Sequence, residues 1–362
     1  MKKSLIKTIS VIILSALIIA EALPETATVY AKSKAKKTGS VLQLANNTSE
    51  KSDDIIILYT NDIHCQVDEN IGYSGLSAYK ESLKQTNNYV SLVDLGDSLS
   101  GDTFGSYKKG ESIISLMNVV GYDFAVPGAH EFEYGLDRLS YLIGKSNAIY
   151  LTSNITYTGS GKNALIQTYP YMIVPYGDIS VGFIGVTEPN VVSECGSALF
   201  TEKDAADYDF KAGNNGSDLY ANTQKNIDAC KAAGANYIVL LTYLGSTKDD
   251  SPYSSRDLIA NTTGVDVVLD GGYHEILPCE IISDKDGDDV TLSTSGSGLN
   301  GIGKLVISTT GNITTTVVTG YKGKNSAIDK YISDCRKTIE DSQKKKSTVQ
   351  TVPLALTTLK AS

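Results

Sequence analysis

The sequence predicts an α/β fold, and three observations point to it. Short runs of β-branched and aromatic residues alternate with apolar stripes at helical spacing. Towards the carboxyl end, four such runs follow one another with Gly and Asp turns between them, which reads as hairpins and a second sheet. Short Asp- and His-bearing motifs mostly follow the strand-like runs: Asp62-Ile63-His64, Gly96-Asp97, Gly128-Ala129-His130-Glu131 and Gly271-Gly272-Tyr273-His274. In open α/β sheets, ligands gather at the carboxyl ends of strands.

Taken in order, Ile55 to Tyr59 is a β-branched run read as a buried strand. Leu76, Tyr79 and Leu83 mark a helix, and Tyr89 to Leu95 the next strand. Ile113, Ile114, Leu116, Met117 and Val120 mark a second helix, which Gly121 closes as a C-cap signal. Phe124 to Val126, Tyr150 to Ile155, Ser180 to Val186, Tyr237 to Thr242 and Val265 to Leu269 continue the strands, with a helix over Leu219 to Ala233. This alternation predicts a largely parallel sheet. Cys279 to Ile282, Val290 to Ser293, Lys304 to Ser308 and Ile313 to Thr319 are the hairpin strands, and Ala327 to Ser342 carries one apolar helical stripe.

The amino terminus reads as an export leader. Lys2 and Lys3 precede an apolar stretch from Val11 to Ala20, too short to span a bilayer, and Val29-Tyr30-Ala31 is a small-residue cleavage site; an uncleaved anchor is the alternative. The predicted location is therefore secreted or cell-surface, with no transmembrane span in the mature form. A polar, low-complexity spacer follows. Five cysteines (Cys65, Cys195, Cys230, Cys279, Cys335) leave at least one unpaired and show no zinc-cage spacing, so disulfides stay optional. The net charge of -9 argues against a nucleic-acid polymer as partner, because binding one requires clustered Lys and Arg.

The motifs suit a divalent metal. A cation such as Mn or Zn accepts both carboxylate and imidazole. Asp-x-His turns two side chains to one side of an extended segment, and Gly96 lets the backbone turn sharply before Asp97. A lone Asp-x-His or Gly-Asp is more often a turn than a ligand; His130 alone could cap a helix that begins near Tyr134, and His274 alone could be a loop histidine. Their order, with each piece at a strand end, carries the functional reading.

Tyr59-Thr60-Asn61-Asp62-Ile63-His64, Asp94-Leu95-Gly96-Asp97-Ser98 with Gly101, Pro127 to Gly135 and Asp266 to His274 together resemble the motifs of the calcineurin-like metallophosphoesterase domain in the secreted 5'-nucleotidase and 2',3'-cyclic phosphodiesterase family. The resemblance covers about Asp54 to Ser342. It implies a four-layer α-β-β-α sandwich of two mixed sheets with flanking helices. It implies a leader at 1–31, a spacer at 32–53, the catalytic domain at 54–324, a linker-like helix at 325–345 and a tail at 346–362. It also implies hydrolysis of phosphate esters at two metals bridged by Asp97. One metal would take Asp62, His64, Asp97 and His274. The family's ligands to the other metal are an Asn and two His, and here those positions read Ala129, Tyr243 and Gly272. Tyr could bind only as phenolate, which its ordinary pKa of about 10 makes costly. The expected cofactor is thus one ion rather than two. His130 matches the catalytic His, and Glu133 replaces its Asp partner; Glu133 could equally be a solvated first-turn residue of a helix.

The expected function is that of a secreted metal-dependent phosphoesterase acting on a small phosphate ester, a nucleotide among the options. One surviving ion can still polarise a phosphoryl group, but loss of the second removes a clamp on the transition state. The alternative is a pseudoenzyme, a cell-surface binding or scaffold protein. The family usually carries a C-terminal nucleoside-binding domain that this sequence does not show; the alternatives are a single-domain member of the family, or a truncated or split protein for which a separate chain supplies that domain.

Overall fold

The computed structural model describes residues 28–29, 50–159, 168–191, 207–245 and 252–350, with backbone alone for 28–29 and 346–350. The rest of the expected leader, most of the spacer, Cys195 and the tail beyond Gln350 lie outside the described residues. The strands are β1 (Thr28–Val29), β2 (Ser52–Thr60), β3 (Asn87–Asp94), β4 (Phe124–Ala125), β5 (Ile149–Tyr150), β6 (Thr156–Tyr157), β7 (Tyr171–Tyr176), β8 (Ile179–Thr187), β9 (Tyr208–Asp209), β10 (Tyr237–Tyr243), β11 (Val267–Gly271), β12 (Ile276–Ser283), β13 (Asp289–Ser295), β14 (Gly301–Ile307) and β15 (Ile313–Thr319). The longer helices are Gly72–Thr86, Glu111–Val120, Leu136–Ile143, Ser217–Ala232, Ser255–Asn261 and Ser326–Gln350.

Two mixed sheets carry the fold, one of six strands in the order β15-β14-β2-β3-β4-β5 and one of seven in the order β1-β7-β8-β10-β11-β13-β12. The alternation of side chains across a strand separates their faces. In β8, β10 and β11, Val181, Phe183, Val239, Leu241, Val267 and Leu269 join a core shared with the six-stranded sheet. Their neighbours Ile184, Val186, Ile238, Leu240 and Val268 face the other way, into a core with Leu219, Ile227 and Cys230 of the helix Ser217–Ala232. The helix Gly72–Thr86 packs on β3 at the opposite side. The result is helix, sheet, sheet, helix.

The expected largely parallel sheet gives way to mixed ones. β2, β3, β4 and β5 are parallel, as are β8, β10, β11 and β13, but hairpin partners run antiparallel at the flanks. The four carboxyl-terminal strands do not make a second sheet of their own. β12 and β13 extend the seven-stranded sheet, while β14 and β15 extend the six-stranded one.

The strand expected over Tyr150 to Ile155 ends early. Ser153 N–H donates to Gly185 O at 2.7 Å, so the chain leaves one sheet for the other. Gly185 permits that crossing, because a Cβ there would stand 2.2 Å from Leu151 O. β7 was hidden in the sequence by Pro175, which weakens a strand reading. Among the described residues β1 borders β7 at Met172 and Ile173, so Pro175 lies at the flank of the sheet, where a strand tolerates proline. The helix Glu111–Val120 ends on left-handed Gly121 (φ 81°), as its sequence predicts. The last helix runs past residue 345 to Gln350.

Tyr59 ties the sheets together. It is fully buried on β2, lies across Gly303 of β14, and its hydroxyl hydrogen-bonds Ser293 Oγ on β13. A Cβ at position 303 would stand 2.0 Å from the Tyr59 ring. Gly303→Val should therefore lower unfolding free energy by about 3 kcal/mol, read as a lower urea midpoint; an unchanged midpoint would show that the ring can move aside.

Candidate metal centre

The parallel strands β2, β3 and β4 lie side by side in one sheet, and β10 and β11 in the other. Their carboxyl ends meet. Asp62 and His64 follow β2, Asp97 follows β3, His130 follows β4, Tyr243 closes β10, and His274 follows β11. One ligand atom from each of Asp62, His64, Asp97 and His274 lies within 4.8 Å of the others. Donors about 2.1 Å from a shared cation stand about 3.4 Å apart in a tetrahedron and about 4.2 Å apart across an octahedron. The cluster is close to that scale.

Backbone bonds fix the converging loops. Asp62 N–H donates to Gly96 O at 3.0 Å, and His64 N–H to Asp97 O at 2.8 Å. Asp62, His64, Cys65, Asp97 and His274 all adopt left-handed conformations, with φ between 48° and 64°. This corrects the extended Asp-x-His segment expected from sequence. Asp62 and His64 meet because the chain coils there, a costly backbone state held by the surrounding bonds.

Asp62 is wholly buried. Its Oδ2 accepts from Asn61 Nδ2 at 2.7 Å and from Gly272 N–H at 2.9 Å. Its Oδ1 is buried without a hydrogen-bond partner, 3.4 Å from His274 Nε2. The Nε2 atoms of His64 and His274 face each other at 3.1 Å. A buried orphan oxygen beside two converging imidazole nitrogens is what a cation would complete, since leaving such an atom unpaired is costly. The residues present therefore fit one divalent ion.

Electrostatics points the same way. Burial is the main cause that pulls His64 down to about 4, with His130 and His274 adding to it against Asp62. His64 is thus neutral and free to donate a lone pair. Burial and then Glu131 push Asp97 up to about 7, with His130 opposing. Asp62 holds His274 above its ordinary range. Burial lowers His130, but Asp97, Glu133 and Glu131 outweigh it and hold its pKa up.

His130 opens a short 3-10 turn, His130–Phe132, close to where a helix was expected to start. Its N–H donates to Asp97 Oδ1 at 2.8 Å, and its Nε2 lies 3.8 Å from Asp97 Oδ2. Its Nδ1 hydrogen-bonds Glu133, whose other oxygen accepts from Ser100 Oγ. Glu133 therefore orients His130 and is not merely a solvated first-turn carboxylate.

Two features escaped the sequence reading. Glu131 sits inside a quoted motif, yet was given no role. It is buried, and its carboxylate accepts four backbone N–H bonds: Asp97 at 2.8 Å, Gly128 at 2.7 Å, Ser98 at 2.8 Å and Leu99 at 3.0 Å. No sequence signal marked it, because its partners are backbone groups. Asn61 also braces the site, its Oδ1 accepting from Ser295 N–H at 2.9 Å. The four described cysteines are free thiols.

No family model matches the chain. Over 235 residues it is 30% identical to the snake venom 5'-nucleotidase of Gloydius brevicauda, a match covering 60% of this chain and 36% of that protein. Over 294 residues it is 26% identical to the 2',3'-cyclic-nucleotide 2'-phosphodiesterase/3'-nucleotidase of Yersinia enterocolitica, covering 73% and 42%. Its homologues are 5'-nucleotidases and 2',3'-cyclic-nucleotide phosphodiesterases. The chain spans less than half the length of these relatives. The fold is that of calcineurin-like phosphoesterases. The calcineurin-like phosphoesterase YfkN of Bacillus subtilis aligns at TM-score 0.62 and 22% identity, over 80% of this chain and 98% of that one. The NAD nucleotidase of Haemophilus influenzae aligns at TM-score 0.65 and 17% identity, over 81% and 61%.

Replacing Glu131 by Gln would aim an amide NH2 at two of the four N–H donors. Glu131→Gln should cost about 2–4 kcal/mol in urea denaturation. A loss well below about 1 kcal/mol would mean that water or a rearranged loop takes over those donors.

Proposed function

We propose that this protein hydrolyses phosphate esters at the Asp62, His64, Asp97 and His274 cluster, with one divalent cation such as Mn or Zn as cofactor. The observation that carries the reading is the convergence of those four donors around the orphan Oδ1 of Asp62. The homologues' names support the reaction class, and make nucleotides and cyclic nucleotides the first substrates to try.

A cation held there would supply Lewis-acid polarisation of a phosphoryl oxygen and a more acidic water. The chain's own groups do the rest. His64, held down by burial, presents a neutral lone pair, His274 presents one once it gives up the proton that Asp62 favours, and Asp62 and Asp97 offset the cation's charge. His130 is half-exposed, and Glu133 fixes its ring through Nδ1. That leaves Nε2 to donate a proton to the leaving oxygen as it gains charge, the general-acid role. The carboxylates around the cluster leave little net positive charge once a single cation is bound.

The second reading is a binding or scaffold protein that keeps the pocket without turnover. Tyr243, hydrogen-bonded to Asp97, favours it, because the phenol stands where a further ligand would be needed. Export follows from Lys2, Lys3 and the Val11 to Ala20 stretch. Among the described residues, no helix is long and apolar enough to cross a membrane.

Hydrolysis of an aryl phosphate and of a bis-aryl phosphodiester tests the enzyme reading. Turnover should exceed that of Asp97→Ala, while His130→Ala should lose about 10²–10⁴ in kcat with metal content unchanged. Wild-type turnover no higher than Asp97→Ala with any divalent metal leaves the binding-protein reading. Metal affinity should also depend on pH. Asp97, pushed up to about 7, and His274, held above its ordinary range by Asp62, must each lose a proton to bind, whereas His64, near 4, is already neutral at pH 6. Affinity should therefore fall at least about tenfold for each pH unit below about 7 and level off once both groups have lost their protons. Calorimetry in buffers of different ionisation enthalpy should detect the released proton; a flat affinity would refute Asp97 as the titrating ligand.

A further inference from the structure

Tyr243 closes β10, and its ring lies against three glycines from three different loops. An ideal Cβ would stand 2.9 Å from the ring at Gly96, 2.7 Å at Gly128 and 3.3 Å at Gly272. Any side chain at the first two positions would collide with the ring. The glycines after β3, β4 and β11 thus shape a hollow, and the tyrosine fills it to 7% exposure.

The far end of the ring is equally committed. The phenol O–H donates to Asp97 Oδ2 at 2.7 Å, while His130 N–H occupies Oδ1 at 2.8 Å. The phenol thus directs its proton at the Asp97 carboxylate. Ala129, 7% exposed beside His130, and Gly272 bring no donor atom. These residues do not fit a second cation.

We propose that Tyr243 stands in for a second cation: its ring fills the hollow, its O–H satisfies the Asp97 oxygen, and the centre takes one divalent ion. The proposal rests on the metal-dependent reading above and deepens it. Tyr243 is then a positioning residue for Asp97. A hydrogen-bond donor steadies that carboxylate without adding positive charge to the site.

Manganese binding to the full chain tests this, with stoichiometry from equilibrium dialysis and electron paramagnetic resonance of the bound ion. Wild type should bind one Mn²⁺ per chain and give an isolated-ion spectrum. Tyr243→Phe keeps the ring and should still bind one. Ala129→Asn combined with Tyr243→His opens the hollow and supplies two donors; it should bind two ions with a spin-coupled spectrum. Two ions on wild type or on Tyr243→Phe overturn the proposal, and neither measurement depends on the double variant folding. So does a double variant with native circular dichroism that stays at one ion. Wild type that binds no manganese would sink the metal reading itself, a pattern separate from all of these.

Discussion

The site depends on one buried carboxylate. Glu131 reaches from the turn after β4 to the loop after β3 and accepts four backbone N–H groups there and at Gly128. Those donors are buried and have few alternatives, so the bonds are expensive to lose. They set the left-handed turn at Asp97, and with it the direction of the Asp97 side chain. They also place His130, the residue next to Glu131, against that same carboxylate. Loop positions that could have been soft are instead fixed by a charge the solvent does not reach.

The electrostatic cost of this arrangement falls on its neighbours. Glu131 and Asp97 are close acidic groups in a dry environment, and Asp97 is driven up as a result. His130 gains, held up by the acids around it. His64, pressed by burial and by two other imidazoles, is driven down. One constellation therefore pushes similar histidines in opposite directions, one towards accepting a proton and one towards offering a lone pair.

Much of this was legible in the sequence, for identifiable reasons. Asp62, His64, Asp97 and His274 each follow a strongly β-forming run, so their convergence follows from sheet geometry. The resemblance implied, residue by residue, that the second cation's ligands are replaced at Ala129, Tyr243 and Gly272. The way Tyr243 packs could not, because the three glycines around it come from loops far apart in the chain. Glu131 was silent for the same reason: its partners are backbone groups, which carry no sequence signature. The destination of the last four strands was also hidden. Each hairpin joins a different sheet, and that choice belongs to tertiary packing.

The chain passes from one sheet to the other between β13 and β14, and it does so beside the site. Gly298 N–H donates to Asp62 O at 2.8 Å within that crossing, and Asn61 grips Ser295 at its start. The crossover is thus a rivet through both layers, with the donor cluster at its head. Prising the layers apart would scatter the ligands at once, so a bound cation should act as a clasp on the whole sandwich.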